Sequence, residues 1–145
     1  MKKPAAARIK IAIVRARFNA EITSRLLKSC VAALLAHGLK RNSIVVREVP
    51  GSWELPLAAQ QLALSKKFQA VIALGAIIKG ETPQNDYLAQ AVIAGLQQVA
   101  LSTKIPCLLG VITPLNSKQA IARTRGNLDR GREAALAALE FLGLH

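Results

Sequence analysis

The chain is short of aromatic rings, acids and cysteines. Three phenylalanines, one tryptophan and one tyrosine are its only aromatics in 145 residues. A core must therefore be built from Ala, Leu, Ile and Val, which dominate the 52% hydrophobic share. Two cysteines, Cys30 and Cys107, are too few for a disulfide framework. Each lies in an apolar context, "LLKSCVAALL" and "IPCLLGVI", with no base beside it, so buried thiols are expected rather than a nucleophile. No apolar run reaches the roughly 18 residues that a membrane span needs. The opening "MKKPAAARIKIAIV" is basic and then apolar, but its apolar part is too short for a signal peptide, and Arg15 and Arg17 follow at once. A cytoplasmic location without a membrane partner is the expectation.

Acids are the other shortage. Eight of them against 20 lysines and arginines leave a formal net charge of +12, which points to anionic partners. The bases are spread, with clusters at Lys2, Lys3, Arg8 and Lys10 and again at Arg123, Arg125, Arg130 and Arg132. There is no zinc-finger spacing and no basic helix interleaved with aromatics, which argues against nucleic acid as a partner and for a solvated basic surface.

What is present is an alternation of strand and helix patterns within a length that fits one domain, residues 1–145. "IKIAIV" (9–14) is a short, β-branched apolar run and reads as a buried strand. The segment 20–39 has apolar residues at helical spacing, with Gly38 as its stop. "SIVVREV" (43–49) is a second strand, and "LPLAAQQLALSKK" (55–67) a second helix. "QAVIALGAII" (69–78) is a third strand, followed by a helix to about Ser102. "PCLLGVI" (106–112) is a fourth strand. Two helices close the chain, over 116–124 and 129–143, with a break at Gly126. Four strands, each followed by a helix, predict an α/β fold with a four-stranded parallel sheet. Their nearly continuous apolar runs predict helices on both faces.

In open α/β sheets, ligands bind outside the carboxyl ends of the strands. The unusual residues gather there. Phe18 and Asn19 follow the first strand, and Ser52, Trp53 and Glu54 follow the second. "GAIIKGETP" ends the third, and Thr113 and Pro114 follow the fourth. Phe18 and Trp53 at one edge form a candidate stacking platform for a flat ring. Glu54 begins the second helix, where a carboxylate caps backbone N–H groups or accepts bonds from a polyol. In "KGETP", Gly80 admits a close ligand, Thr82 is a candidate helix cap, and Pro83 suits the first turn. Free N–H groups and the helix dipole there favour an anion.

Taken together, "RFN", "VPGSWELPLAA", "GAIIKGETPQNDY", "GVIT", "QAIAR" and "GREAALAALE" resemble the lumazine synthase family over nearly the whole chain. The resemblance implies a flavodoxin-like three-layer sandwich. It implies condensation of 5-amino-6-(D-ribitylamino)uracil with 3,4-dihydroxy-2-butanone 4-phosphate, a step of riboflavin biosynthesis that uses no metal or redox cofactor. It implies small-molecule substrates, a homopentamer that in some members builds a shell of twelve pentamers, and sites between neighbouring subunits. Phe18 would stack on the pyrimidine, beside Asn19. Ser52, Trp53 and Glu54 would hold ring and ribityl chain, and Ala76, Ile77 and Ile78 would line the ring through their backbone. Gly80, Glu81 and Thr82 would receive the phosphate, and Arg123 would pair with it. Leu109, where the family usually has Phe, and Glu133 would reach the site from the neighbouring subunit.

The sequence departs from the family pattern at the turn usually written "TPHFDY". Here it reads "TPQNDY", so Gln84 stands where the family keeps its proton carrier. An amide cannot act as a general acid or base. Neither histidine is expected to substitute, because His37 closes the first helix at the opposite edge and His145 is terminal. Leu128 and the basic stretch "RTRGNLDRGRE" are further departures, with Arg125 and Arg130 expected as surface charge. Two readings follow: a slower lumazine synthase, or a shell-forming homologue with weak or no catalysis.

Overall fold

The computed structural model describes residues 8–144. Four strands form one parallel sheet: β1 (Ile11–Ala16), β2 (Ile44–Val49), β3 (Ala70–Ala76) and β4 (Cys107–Ile112). Their spatial order is β2-β1-β3-β4. The helices are α1 (Ala20–Ala36), α2 (Leu55–Leu64), α3 (Gln84–Thr103), α4 (Ser117–Ala122) and α5 (Arg130–Phe141). The result is the flavodoxin-like three-layer α/β sandwich expected.

Period-two alternation along β1 and β3 divides the core into two slabs. Ile11, Ile13, Ile72 and Leu74 face the layer of α1 and α5, where they meet Leu26, Leu34 and Leu139. Ala12, Val14, Val71 and Ala73 face the layer of α2 and α3, where they meet Leu55, Val92 and Leu96. Each large aliphatic side chain removed from water contributes about 1.5–3 kcal/mol, so these two slabs are the main stabilising term. Gly38, at φ 101, stops α1 as the sequence implied, and Leu39 N–H returns to the Leu34 carbonyl at 3.2 Å.

Three expectations shift. β1 runs to Ala16, two residues past the apolar run, because Arg15 stays in the ladder opposite Glu48 and donates to its carboxylate at 2.8 Å. α2 ends at Leu64 rather than Lys67, since Lys66 takes a left-handed conformation at φ 60. The third deviation is β2, which is not covered on both faces. Val45, Val46, Arg47 and Glu48 are exposed and only Val49 is buried, because the helices pack on β1, β3 and β4 and leave this edge strand bare.

Helices α1 and α5 cross at Gly131, which lies directly on the backbone of Leu26. A Cβ at 131 would overlap the Leu26 carbonyl. Gly131→Ala is therefore expected to lower the unfolding free energy by about 1–3 kcal/mol or more, as overpacked cores do. Urea denaturation measures this, and an unchanged midpoint would contradict the close crossing.

Candidate active site

The chain leaves β1 into α1 on one face of the sheet. It leaves β3 into α3 on the other. Between β1 and β3 the winding reverses, so their loops part and open a crevice at the carboxyl edge. Backbone bonds hold the loops in pairs. Arg17 N–H donates to Val49 O at 2.8 Å and Phe18 N–H to Pro50 O at 3.0 Å. On the other side Ile77 N–H donates to Ile112 O at 2.9 Å and Lys79 N–H to Pro114 O at 3.0 Å. One side chain joins the two pairs: Asn19 Nδ2 donates to Ala76 O at 2.8 Å. Asn19 can do so from a left-handed backbone at φ 59, ψ 48, a conformation that asparagine tolerates better than most residues.

The crevice encloses about 130 Å³. Its walls bring together Phe18, Asn19, Ser52, Ala76, Ile77 and Ile78, all expected from sequence. Asn85 and Leu88 complete it, and neither was expected. The helical step after Pro83 was the available signal, since it turns both residues back over the loop. Ser52 is buried against β3 because residue 75 is glycine: a Cβ there would lie 2.7 Å from Ser52 Oγ. Phe18 lines the crevice and is 72% exposed, so its ring is open to a partner. Trp53 is 66% exposed and lies outside the crevice wall. Glu54 does cap its own turn, accepting from Gly51 N–H at 2.8 Å through Oε1. Its second oxygen makes no bond among the described residues.

The turn after β3 differs in one detail from expectation. Thr82 does not cap α3. Pro83 occupies that position, and its carbonyl receives Asp86 N–H at 3.0 Å and Tyr87 N–H at 3.3 Å. Helical hydrogen bonding thus begins one residue later than a Thr82 cap requires. Among the described residues, the N–H groups of Gly80, Glu81 and Thr82 have no protein partner, which leaves three donors free beside a helix N-terminus. Gln84 is the first residue of α3 and is exposed.

Leu109, Arg123 and Glu133 are brought together elsewhere, in a cavity of about 340 Å³ beside β4 that shares no residue with the crevice. Leu109 is not at a strand end but in the middle of β4, half exposed on the second edge of the sheet. Arg123 closes α4 and donates to the Gln119 carbonyl at 3.2 Å. Arg130 also lines this cavity, donating to Glu133 Oε2 at 2.6 Å in a solvent-exposed ion pair. Its i,i+3 spacing to Glu133 was the signal in the sequence. Arg125 is not part of the lining. His37 lies at the other end of α1, against the Ala33 carbonyl, and His145 falls outside the described residues. Among the described residues no cluster of His, Cys, Asp and Glu could hold a metal, and no helix is long and apolar enough to cross a membrane.

A parallel sheet with a narrow crevice at its switch point, an exposed aromatic residue and a turn with free N–H groups beside it has the form of an open α/β enzyme. The pattern of the 6,7-dimethyl-8-ribityllumazine synthase family matches residues 8–145. A 6,7-dimethyl-8-ribityllumazine synthase of Salinibacter ruber (strain DSM 13855 / M31) is 42% identical over 136 residues, covering 93% of this chain and 87% of that protein. The chain belongs to the 6,7-dimethyl-8-ribityllumazine synthase family, and with it to the transferases of riboflavin biosynthesis.

The thiols stand apart from this chemistry. Burial pushes Cys30 up to about 12, with a smaller push from the Asp129 carboxylate, and burial alone pushes Cys107 to about 12. Both remain protonated in the folded chain at neutral pH, so alkylation by iodoacetamide at pH 8 should be slow until the protein is denatured. The sign for stability follows: the unfolded chain releases these protons near 9 and the folded chain does not, so stability present below pH 9 falls as pH rises toward 12. Rapid labelling of native protein would contradict the burial.

Proposed function

We propose that the chain is a working 6,7-dimethyl-8-ribityllumazine synthase, a single-domain cytoplasmic enzyme that condenses 5-amino-6-(D-ribitylamino)uracil with 3,4-dihydroxy-2-butanone 4-phosphate. One observation carries this reading. The crevice at the β1/β3 switch point unites Phe18, Asn19, Ser52, Ala76, Ile77 and Ile78, next to a turn with three unpartnered N–H groups. In this reading the pyrimidine stacks on Phe18, and Ser52, Trp53 and the free oxygen of Glu54 take the ring edge and ribityl hydroxyls. Gly80, Glu81 and Thr82 donate to the phosphate.

The cavity of Leu109, Arg123 and Glu133 serves the site of an adjacent subunit in a homopentamer, with a 60-subunit shell as the larger assembly. Two features support this. The cavity lies at the β4 edge, apart from the crevice. The chain also leaves Leu57, Leu64, Leu101 and Phe141 exposed, more large apolar side chains than an isolated subunit usually shows. Arg123 then meets the phosphate from across the interface.

An amine and a ketone condense once they are held together, and a positioned acid–base group adds to that rate. The 5-amino group attacks the ketone carbon and one water leaves to give an imine. Loss of the C3 proton and of phosphate gives an enol that tautomerises to a ketone, the departing phosphate being stabilised by N–H groups and Arg123. The ribitylamino nitrogen then closes the ring on that ketone with loss of a second water. Holding the two reactants in line contributes on the order of 7–11 kcal/mol. Gln84 orients but carries no proton, and the substrate phosphate, water, Glu81 or Asp86 takes that part. No metal or redox cofactor enters.

The alternative, a shell-forming homologue without catalysis, is favoured by Gln84 and the +12 charge. The two part in one assay. Purified protein with both substrates should give lumazine fluorescence above the uncatalysed background, and no excess at saturating substrate would sink the enzyme reading. Gln84→His in the same assay should raise kcat by about 10-fold or more, since a positioned acid–base group gives about 10²–10⁴.

A further inference from the structure

We infer that Asn85 is a positioning residue, whose hydrogen-bonded tether to the Ile78 carbonyl sets the phosphate-receiving turn. The inference rests on the function proposed above.

Three observations meet at this side chain. Asn85 Nδ2 donates to the Ile78 carbonyl at 2.7 Å, reaching back seven residues across the whole turn. A Cβ on Gly80 would come within 2.9 Å of that same Nδ2, so the amide passes directly over the glycine. Asn85 also lines the crevice with Phe18 and Ile78. The loop from Ile78 to Asn85 is therefore closed by one amide at its neck, with Gly80 beneath it.

The chemistry fixes the orientation of the amide. A carbonyl oxygen accepts only from a donor, so Nδ2 must face Ile78 and Oδ1 must face away from it. Closing the neck limits the conformations open to Gly80, Glu81 and Thr82, whose N–H groups otherwise have no internal bond to hold them. A flexible glycine in a phosphate-receiving turn loses much backbone freedom on binding. The tether removes part of that freedom beforehand, which favours binding of the anion. In "TPHFDY" the same position is Phe, which can fill space but cannot bond Ile78 O. Here Asn85 makes that bond, and Gly80 leaves room for the amide beside it.

The experiment compares Asn85→Asp and Asn85→Leu with the wild-type oligomer. Both variants keep a side chain of similar size near the start of α3, where an aspartate is also compatible with the helix dipole. Asp sets a carboxylate oxygen against the Ile78 carbonyl until it is protonated. Its KM for the butanone phosphate should rise about 10-fold or more at pH 7.5, as expected for a lost bond and an unpaired partner, and partly recover toward pH 5. Leu lacks the bond at every pH, so its KM should rise by a similar factor with no recovery. KM for the pyrimidine substrate, whose crevice Asn85 also lines, should rise by a smaller factor than KM for the phosphate substrate in both. Wild-type KM for the phosphate substrate in both variants would overturn the tether.

If the wild type itself shows no turnover, the function reading fails separately. The tether is then read from inorganic phosphate binding by calorimetry. Weaker binding in both variants than in the wild type supports it, and no difference between them and the wild type overturns it.

Discussion

One hydrogen bond joins the two halves of the carboxyl edge. Asn19 Nδ2 on the Ala76 carbonyl ties the loop after β1 to the end of β3 at the place where the winding of the sheet reverses. On one side of that bond, Phe18 is fixed by the backbone of Pro50. On the other, the turn from Ile77 to Lys79 is fixed by Ile112 and Pro114. The sheet alone would leave these loops splayed. With the bond they form a crevice lined by neutral and apolar residues, with Phe18 exposed at its wall. The two glycines at its margin act by omission: Gly75 makes room for Ser52, and Gly80 for Asn85.

A second consequence is the separation of the two clusters. Neutral and apolar contacts line the crevice, while guanidinium groups collect in a different cavity at the β4 edge. An anionic substrate seated on the turn at Gly80 to Thr82 would meet N–H dipoles from its own chain but no arginine there. In the proposed assembly the charge arrives from a neighbour. Such an assembly also offers a cover for the large apolar side chains that the single chain leaves exposed, Leu57, Leu101 and Phe141 included. It also separates the net charge of +12 from the site: most of the basic residues lie in neither cavity.

Much of this was legible in the sequence, for physical reasons. Strands buried on both faces have no choice but continuous apolar runs, so the two central strands, β1 and β3, stood out. The loop residues stood out because polar and aromatic types interrupt those runs at one edge. What escaped were features that depend on partners far along the chain. Arg15 extends β1 only because Glu48 lies opposite. β2 is bare because it sits at the edge of the sheet, which no local pattern states. Asn85 and Arg130 looked like ordinary polar residues at helix starts, and only tertiary placement gives one the crevice and the other the β4 cavity. Thr82 was a reasonable cap by type, but Pro83 took the position.

The central claim is that a complete site needs the crevice of one chain and the β4 cavity of another. Subunit mixing tests it most directly. Phe18→Asp removes the ring platform and Arg123→Ala removes the cation, so each homo-oligomer should be close to inactive. Co-expressed, the two variants should recover about a quarter of wild-type activity, because random assembly in a closed ring restores both intact halves at that share of interfaces. Activity that stays at the level of the two parents, with mixed oligomers present, would contradict a site shared between subunits.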